Sequence, residues 1–321
     1  MENQSYNESR TVSRAGVLAA VDRVTGIVRR TPLLPLPKGE GRVWIKCESL
    51  QLGGAFKLRG AYNRLARMNA DQRKTGVVAF SSGNHAQGVA RAAKLLGMPA
   101  AIVMPADAPA VKMDGTRALG AEIILYDRHT ESREAIAAGL AAERNAVLVP
   151  SFDDVDVIEG QGTAGIEIAG QLGRAPARVI TPCGGGGLAA GLALALPDTE
   201  IVVAEPEGWD DMGRSLALGH ILEVPADAPF TSCDALQTKR VADLTFETLR
   251  AAGARGVWAS EAEVHVAMRY AFTLGLVVEP GGAVALASWL AGKFLPIEGD
   301  TVIICSGSNV DPVAYAKVLA G

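Results

Sequence analysis

Lys57 stands between Phe56 and Leu58 in "GGAFKLRGA" (53–61), just ahead of a helix-forming run. An ammonium among apolar neighbours is costly to desolvate, and a lysine that gives up its charge is a nucleophile toward aldehydes. Taken alone, the stretch also reads as a helix-start lysine whose head reaches solvent. Three other stretches bear on the choice. "SSGNHAQG" (81–88) gathers hydroxyls, a glycine and an amide at the start of a helix. Clustered backbone N–H groups there seat a carboxylate, although the same residues make an ordinary helix cap. "PCGGGGLAAG" (182–191) sets four consecutive glycines between a strand and an alanine-rich helix, so its backbone can wrap a phosphate at a helix N-terminus. "ICSGSNVD" (304–311) ends a strand in hydroxyl and amide groups.

The glycine run has neither the spacing of GxGxxG nor the Lys-Ser/Thr of a Walker loop, so a dinucleotide or ATP is not the expected guest. An aldehyde carrying a phosphate, a ring hydroxyl and a pyridine nitrogen would use all four sites at once. That guest is pyridoxal phosphate, which needs a Schiff-base lysine and separate protein groups to tune its ring.

The elements that must position these groups alternate between β-branched runs and alanine-rich stretches. Strands are expected at 43–48, 76–82, 100–105, 121–127, 146–150, 177–183, 200–206, 255–260 and 301–307. Helices are expected over "NHAQGVARAAKLLG", "ESREAIAAGLAAERN", "TAGIEIAGQLG" and "SEAEVHVAMRYAFTLG". Continuously apolar runs point to parallel strands covered on both faces, hence a doubly wound α/β fold with mostly parallel sheets. Residues 76–151 read as a small α/β domain inserted into a large one made of 1–75 and 152–321. Residues 220–240 have no clear period and read as a long functional loop.

Composition narrows the class. At 49% hydrophobic and 21% charged residues, with formal net charge −4, the 321-residue chain can build a large core and carries no basic stripe for nucleic acid. Disorder is expected only within the first dozen residues. The polar start "MENQSYNESR" lacks the apolar core of a signal peptide, and no apolar run reaches membrane-spanning length. Cys47, Cys183, Cys233 and Cys305 lie far apart without CxxC pairing, which reads as reduced thiols in a cytoplasmic protein.

With "GAFKLRGA", "SSGNHAQG", "GQGT" (160–163), "CGGGGL", "EPEG", "VEPGGA" (278–283) and "SGSNVD" in this order, the chain resembles the β-family (fold type II) of pyridoxal-phosphate enzymes. The likeness is to its threonine dehydratase, serine racemase and hydroxyaspartate dehydratase branch, and it covers residues 25–321. It implies a tryptophan synthase β-like architecture. It also implies that Lys57 forms the Schiff base and removes the substrate's Cα proton, with Phe56 beside the ring. Asn84 would meet the ring hydroxyl, Gly184, Gly185, Gly186, Gly187 and Leu188 the phosphate, and Ser306 the pyridine nitrogen. Ser81, Ser82, Gly83 and His85 would receive the substrate carboxylate. Ser82 also falls where the racemases of this family carry a second base. Glu205, Trp209 and Asp211 in "EPEGWDD" would hold Mg²⁺ or Ca²⁺ as in serine racemases, against the plainer reading of a solvated acidic turn. Arg133 falls where related racemases place an arginine near the substrate; its alternative is a surface pair with Glu131 or Glu134.

Two departures concern the substrate side. Ala55 replaces the usual serine, a variant also found in hydroxyaspartate dehydratases, and the late "DG" reads Asp234-Ala235. A hydroxyl at the pyridine nitrogen leaves the ring a weaker electron sink than a carboxylate would, favouring prompt loss of a β-leaving group. The resemblance therefore implies dehydration and deamination of a β-hydroxy amino acid, with threonine or serine expected first. Hydroxyaspartate dehydratase and serine racemase are the alternatives, with racemisation proceeding through Ser82. A regulatory amino-acid-binding protein on the same fold is disfavoured by the retention of Lys57 and Ser306. The short stretch after "SGSNVD" leaves no room for an effector domain, so no allosteric control of the biosynthetic kind is expected. A homodimer or homotetramer is the expected assembly.

Overall fold

The computed structural model describes residues 10–37, 42–81, 83–108 and 110–321. The first nine residues, most of the segment expected to be disordered, lie outside this set. So does Ser82.

From the N-terminus run α1 (Arg14–Val24), β1 (Leu33–Pro35), β2 (Val43–Lys46), α2 (Leu58–Ala66), α3 (Ala70–Thr75), β3 (Val77–Phe80) and α4 (Asn84–Leu96). Next come β4 (Ala100–Pro105), α5 (Ala110–Ala118), β5 (Glu122–Tyr126), α6 (Arg133–Arg144), β6 (Val147–Leu148) and α7 (Val155–Leu172). The chain continues with β7 (Arg178–Pro182), α8 (Gly187–Ala195), β8 (Glu200–Pro206), α9 (Asp211–Leu218), α10 (Asp243–Ala251) and β9 (Arg255–Ala259). It closes with α11 (Glu261–Thr273), α12 (Pro280–Leu290), β10 (Thr301–Ile304) and α13 (Pro312–Ala320).

All nine expected strands form. Together with β1, which was not expected, they make two sheets, one ordered β1-β2-β10-β7-β8-β9 and the other β5-β4-β3-β6. Every pairing is parallel except that of β1 with β2. Successive residues of the larger sheet serve opposite faces, as strand geometry requires. Ile45, Ile180, Val202 and Ile303 pack with Val264, Met268 and Leu286 of α11 and α12. Val179, Ile201, Val203 and Val302 pack on the other side with Val17, Ile158 and Leu192. In the smaller sheet, Val77 and Ile102 face Val89 and Ala93 of α4, while Val78 and Val103 face Ala137 and Ala141 of α6. Its strands all fall between residues 77 and 148, and Leu58, Ala61 and Leu65 of α2 join the same core.

Helix α7 begins eight residues before the stretch "TAGIEIAGQLG", so "GQGT" lies inside a helix. Its glycines are there for contact. A Cβ at Gly160 would come within 2.7 Å of the Arg59 carbonyl, and one at Gly162 within 2.6 Å of the Gly191 carbonyl. Bare backbone lets α2 and α8 lie directly on α7, which offsets the propensity cost of glycine. Residues 220–240 are mainly irregular, with a bridge between Glu223 and Arg240 and a 3₁₀ turn at Asp234–Leu236.

Candidate active site

Strands β2, β10, β7 and β8 point the same way, so the segments after them gather at one edge, where open α/β sheets bind ligands. Lys57 lies on the connection after β2, Gly184–Gly187 after β7 and Ser306 after β10. The segments after β3 and β6 bring Ser81, Gly83, Asn84 and Ser151 from the smaller sheet. The site lies where the carboxyl edges of the two sheets meet, at the Lys57–Ser151 contact.

Lys57 is the residue before α2. Its Nζ donates to the Ser151 carbonyl at 2.9 Å and lies 5.2 Å from the Phe56 ring centroid. Burial pushes its pKa down to about 8. The Ser151 carbonyl favours the ammonium and burial opposes it; burial wins. The lysine is fixed from three sides. Phe56 N–H donates to the Ser306 carbonyl at 3.2 Å, and Ala55 bridges to Gly307. Helix α4 lies against the Lys57 backbone at Gly88, where a Cβ would stand 3.1 Å from the Lys57 carbonyl carbon. Two residues on, the buried Arg59 holds Glu48 through Nε and Nη2, both at 2.8 Å, and reaches Glu167 at 2.7 Å. Lys46 completes this cluster at 2.6 Å from Glu167. Two cations and two carboxylates thus compensate one another beneath the lysine.

The glycine loop turns into α8 through Gly186, whose φ of 88° lies in the left-handed region that favours glycine. Phe152 packs on the loop so closely that a Cβ at Gly185 would sit 2.3 Å from its ring. Thr245 Oγ1 donates to the Gly185 carbonyl at 2.8 Å. The first-turn N–H groups of α8 have no intrahelical acceptors, which makes this a seat for an anion. Leu188 is buried in the adjoining core. Ser306 is 6% exposed.

At the head of α4, Gly83 N–H donates to Ser81 Oγ at 3.1 Å. His85 turns its imidazole inward, with Nε2 at 2.9 Å from the Val149 carbonyl. Burial, then the charge of Lys57, lowers its pKa to about 3, so the ring is neutral. Its offering to a carboxylate is therefore the backbone N–H in the first helical turn rather than a charged ring. Asn84 Nδ2 donates to Glu279 Oε1 at 2.6 Å, and Asn84 Oδ1 accepts from Asn309 Nδ2 at 2.8 Å. Two segments from the C-terminal part of the chain thus converge on this one amide.

The structure does not bring Arg133 into this network. Its side chain is 47% exposed, pairs with Glu134 at 2.7 Å and lies 5.5 Å from the Phe80 ring centroid. The surface pairing weighed from the sequence is the one observed. Glu205, Trp209 and Asp211 form a separate turn after β8. Glu205 accepts from the N–H groups of Met212 at 3.0 Å and Gly213 at 2.8 Å. Asp211 Oδ2 is buried without a hydrogen-bond partner. Burial and then Asp211 push the Glu205 carboxyl well above its usual range, and burial raises Asp211 to about 7. Trp209 Nε1 donates to the Pro229 carbonyl at 2.8 Å. Among the described residues, no group of three or more His, Cys, Asp or Glu side chains could hold a metal ion.

Sequence reasoning left Ser151, Phe152, Glu279, Asn309 and Thr245 without roles. Glu279 and Asn309 sit inside the quoted motifs "VEPGGA" and "SGSNVD"; nothing marked the other three.

The residues fit pyridoxal phosphate. A poorly solvated amine, a glycine cradle at a helix start that side chains would fill, and a buried hydroxyl stand along one edge of the larger sheet. The comparisons agree. A family model described as "Pyridoxal-phosphate dependent enzyme" matches residues 24–307. An L-threo-3-hydroxyaspartate ammonia-lyase of a Pseudomonas species is 44% identical over 95% of this chain and 98% of that protein. An L-threonine ammonia-lyase of Thermotoga maritima is 39% identical over 84% of this chain and 68% of that protein. Among solved structures, maize serine racemase superposes with a TM-score of 0.90 at 35% identity, covering 97% of this chain and 98% of the other.

Proposed function

The chain belongs to the pyridoxal-phosphate dependent enzyme family, and we propose that it is an ammonia-lyase acting on a β-hydroxy amino acid, with 3-hydroxyaspartate preferred. The observation that carries the reaction class is the connection of Lys57 to the glycine loop through two adjacent residues. Ser151 holds the amine, and Phe152 packs on Gly185. When bound, pyridoxal phosphate supplies an aldehyde that links to amines and a ring that draws electrons from the substrate's Cα.

This chain's residues do the rest. Lys57 Nζ anchors the cofactor and takes the Cα proton, a task suited to an amine whose pKa lies near 8. Phe56 packs beside the ring. Gly184, Gly185, Gly186, Gly187 and Leu188 hold the phosphate, and Asn84 and Ser306 take the ring hydroxyl and nitrogen. Ser81, Ser82, Gly83 and the first-turn amide of His85 seat the α-carboxylate. Loss of water at Cβ yields an enamine that hydrolyses in solution to a 2-oxo acid and ammonia.

The order of substrates differs from the sequence expectation, which put threonine and serine first. The near end-to-end match to a hydroxyaspartate ammonia-lyase favours the diacid, and so does Ala55. Arg133, lying on Phe80 one residue before Ser81, is the cation proposed for the distal carboxylate. Its pairing with Glu134 favours threonine and serine as the second reading. The test is 2-oxo acid release from 3-hydroxyaspartate, threonine and serine. The highest kcat/KM on hydroxyaspartate is expected. A tenfold preference for threonine or serine would reverse the order, and no release from any of them would overturn the class.

A divalent cation, Mg²⁺ or Ca²⁺, is proposed at Glu205, the Trp209 carbonyl and Asp211. The unpartnered Asp211 oxygen beside a second buried carboxylate supports it. A cytoplasmic homodimer or homotetramer is proposed as the working form; the four buried free cysteines suit a reducing compartment.

A further inference from the structure

Asn84 is held at both ends of its amide. Asn309 Nδ2 spends its two hydrogens on the Gly53 carbonyl and on Asn84 Oδ1, each at 2.8 Å. Asn84 Nδ2 gives one hydrogen to Glu279 Oε1 at 2.6 Å. With Glu279 ionised, flipping the Asn84 amide would set its oxygen against that carboxylate, and in either protonation state it would set its nitrogen against the Asn309 nitrogen. The Asn309 contact would be lost in both cases, so the orientation is determined by the network.

The surroundings leave no slack. Glu279 is buried, and its own N–H donates to the Gly307 carbonyl at 3.0 Å. A Cβ at Gly307 would fall 1.8 Å from Glu279 Oε1 and 3.1 Å from Asn84 Nδ2, so only glycine lets the carboxylate reach the amide. Asn309 is equally confined: a Cβ at Gly54 would lie 2.4 Å from Asn309 Oδ1. Gly54 and Gly307 flank the Lys57 and Ser306 segments, so the lock is built into the same two segments that carry those residues.

We propose that Asn309 and Glu279 are positioning residues that fix the Asn84 amide so that its one remaining N–H is presented to the ring hydroxyl of the cofactor. This rests on the assignment of Asn84 to that hydroxyl. Asn84 then acts as a donor, favouring the ionised ring oxygen; a freely turning amide would offer donor and acceptor alike. Glu279 and Asn309 need not touch the cofactor.

The experiment compares the holoprotein with Asn84→Ala, Asn309→Asp, Asn309→Ala and the double variant Asn84→Ala/Asn309→Asp. Asn309→Asp keeps size while turning an acceptor toward Asn84 Oδ1. Readouts are the pH dependence of the bound cofactor's absorption band, the cofactor dissociation constant, and circular dichroism for folding. Asn309→Asp is expected to shift the band in the direction seen for Asn84→Ala and to weaken cofactor binding roughly tenfold, about the worth of one hydrogen bond. In the double variant the second change should add nothing, since the group being positioned is gone. A wild-type band in Asn309→Asp, or effects that add fully, overturns the proposal. If Asn84→Ala itself leaves the band unmoved, the assignment of Asn84 fails and the proposal falls with it. Should Asn309→Asp not fold, Asn309→Ala decides by the same shift, because it removes the only donor to Asn84 Oδ1 among the described residues.

Discussion

The Lys57 ammonium donates to the Ser151 carbonyl at 2.9 Å, so the amine proposed to anchor the cofactor is held by the segment that leaves the smaller sheet. Its acidity follows from that enclosure. Cofactor capture by the apoprotein requires the neutral amine, so its rate should rise with pH and level off near 8, where Lys57 titrates. An ordinary lysine, titrating at 10.5, would keep the rate rising well beyond that. The same shift has a stability sign. Between about 8 and 10.5 the unfolded chain holds a proton that the folded one has lost. The penalty from this group is complete below 8 and is relieved as pH rises through that window. Stopped-flow mixing of apoprotein with cofactor across pH checks the first statement, and apoprotein denaturation across pH checks the second.

Arg59 is the keystone of the buried charge cluster beneath Lys57. Arg59→Met should lower stability by about 3–5 kcal/mol, because it strands the buried Glu48 carboxylate without its main cation. Removing both charges with Arg59→Met/Glu48→Leu should recover much of the loss. Urea unfolding of the three proteins measures both effects.

Chelator treatment tests the turn at Glu205 and Asp211. With a cation bound at a hundredfold over its dissociation constant, removal should cost about 2.7 kcal/mol and lower Tm, and Mg²⁺ or Ca²⁺ should restore it. Indifference to chelator and to added metal would leave an acidic turn whose carboxyls are protonated at higher pH than usual.

Arg133→Ala separates the two substrate readings. If Arg133 leaves Glu134 for the distal carboxylate, kcat/KM for 3-hydroxyaspartate should fall by the equivalent of about 2–4 kcal/mol while threonine is hardly affected. Equal small losses on both substrates would place Arg133 outside the pocket.

Much of this architecture was legible because parallel strands buried on both faces are written as unbroken apolar runs, such as "EIVVAEP". Strand β1 escaped notice because Leu33–Pro35 is three residues long, ends in proline and pairs at an edge. The first half of α7 escaped because glycines at 160, 162 and 165 suggest a loop until the contacts of α2 and α8 are known. In the site, Lys57 and the glycine run were legible by residue type. Ser151 acts through a backbone carbonyl, which no side chain advertises. Glu279 lies 195 residues from Asn84 in the chain, so its role exists only once the fold brings them together.

The most direct test of the central claim is borohydride reduction of the holoprotein followed by peptide mapping. The account predicts a pyridoxyl phosphate mass on the peptide containing Lys57, with none in Lys57→Ala. Label on another lysine, or none on protein reconstituted with pyridoxal phosphate, would contradict it.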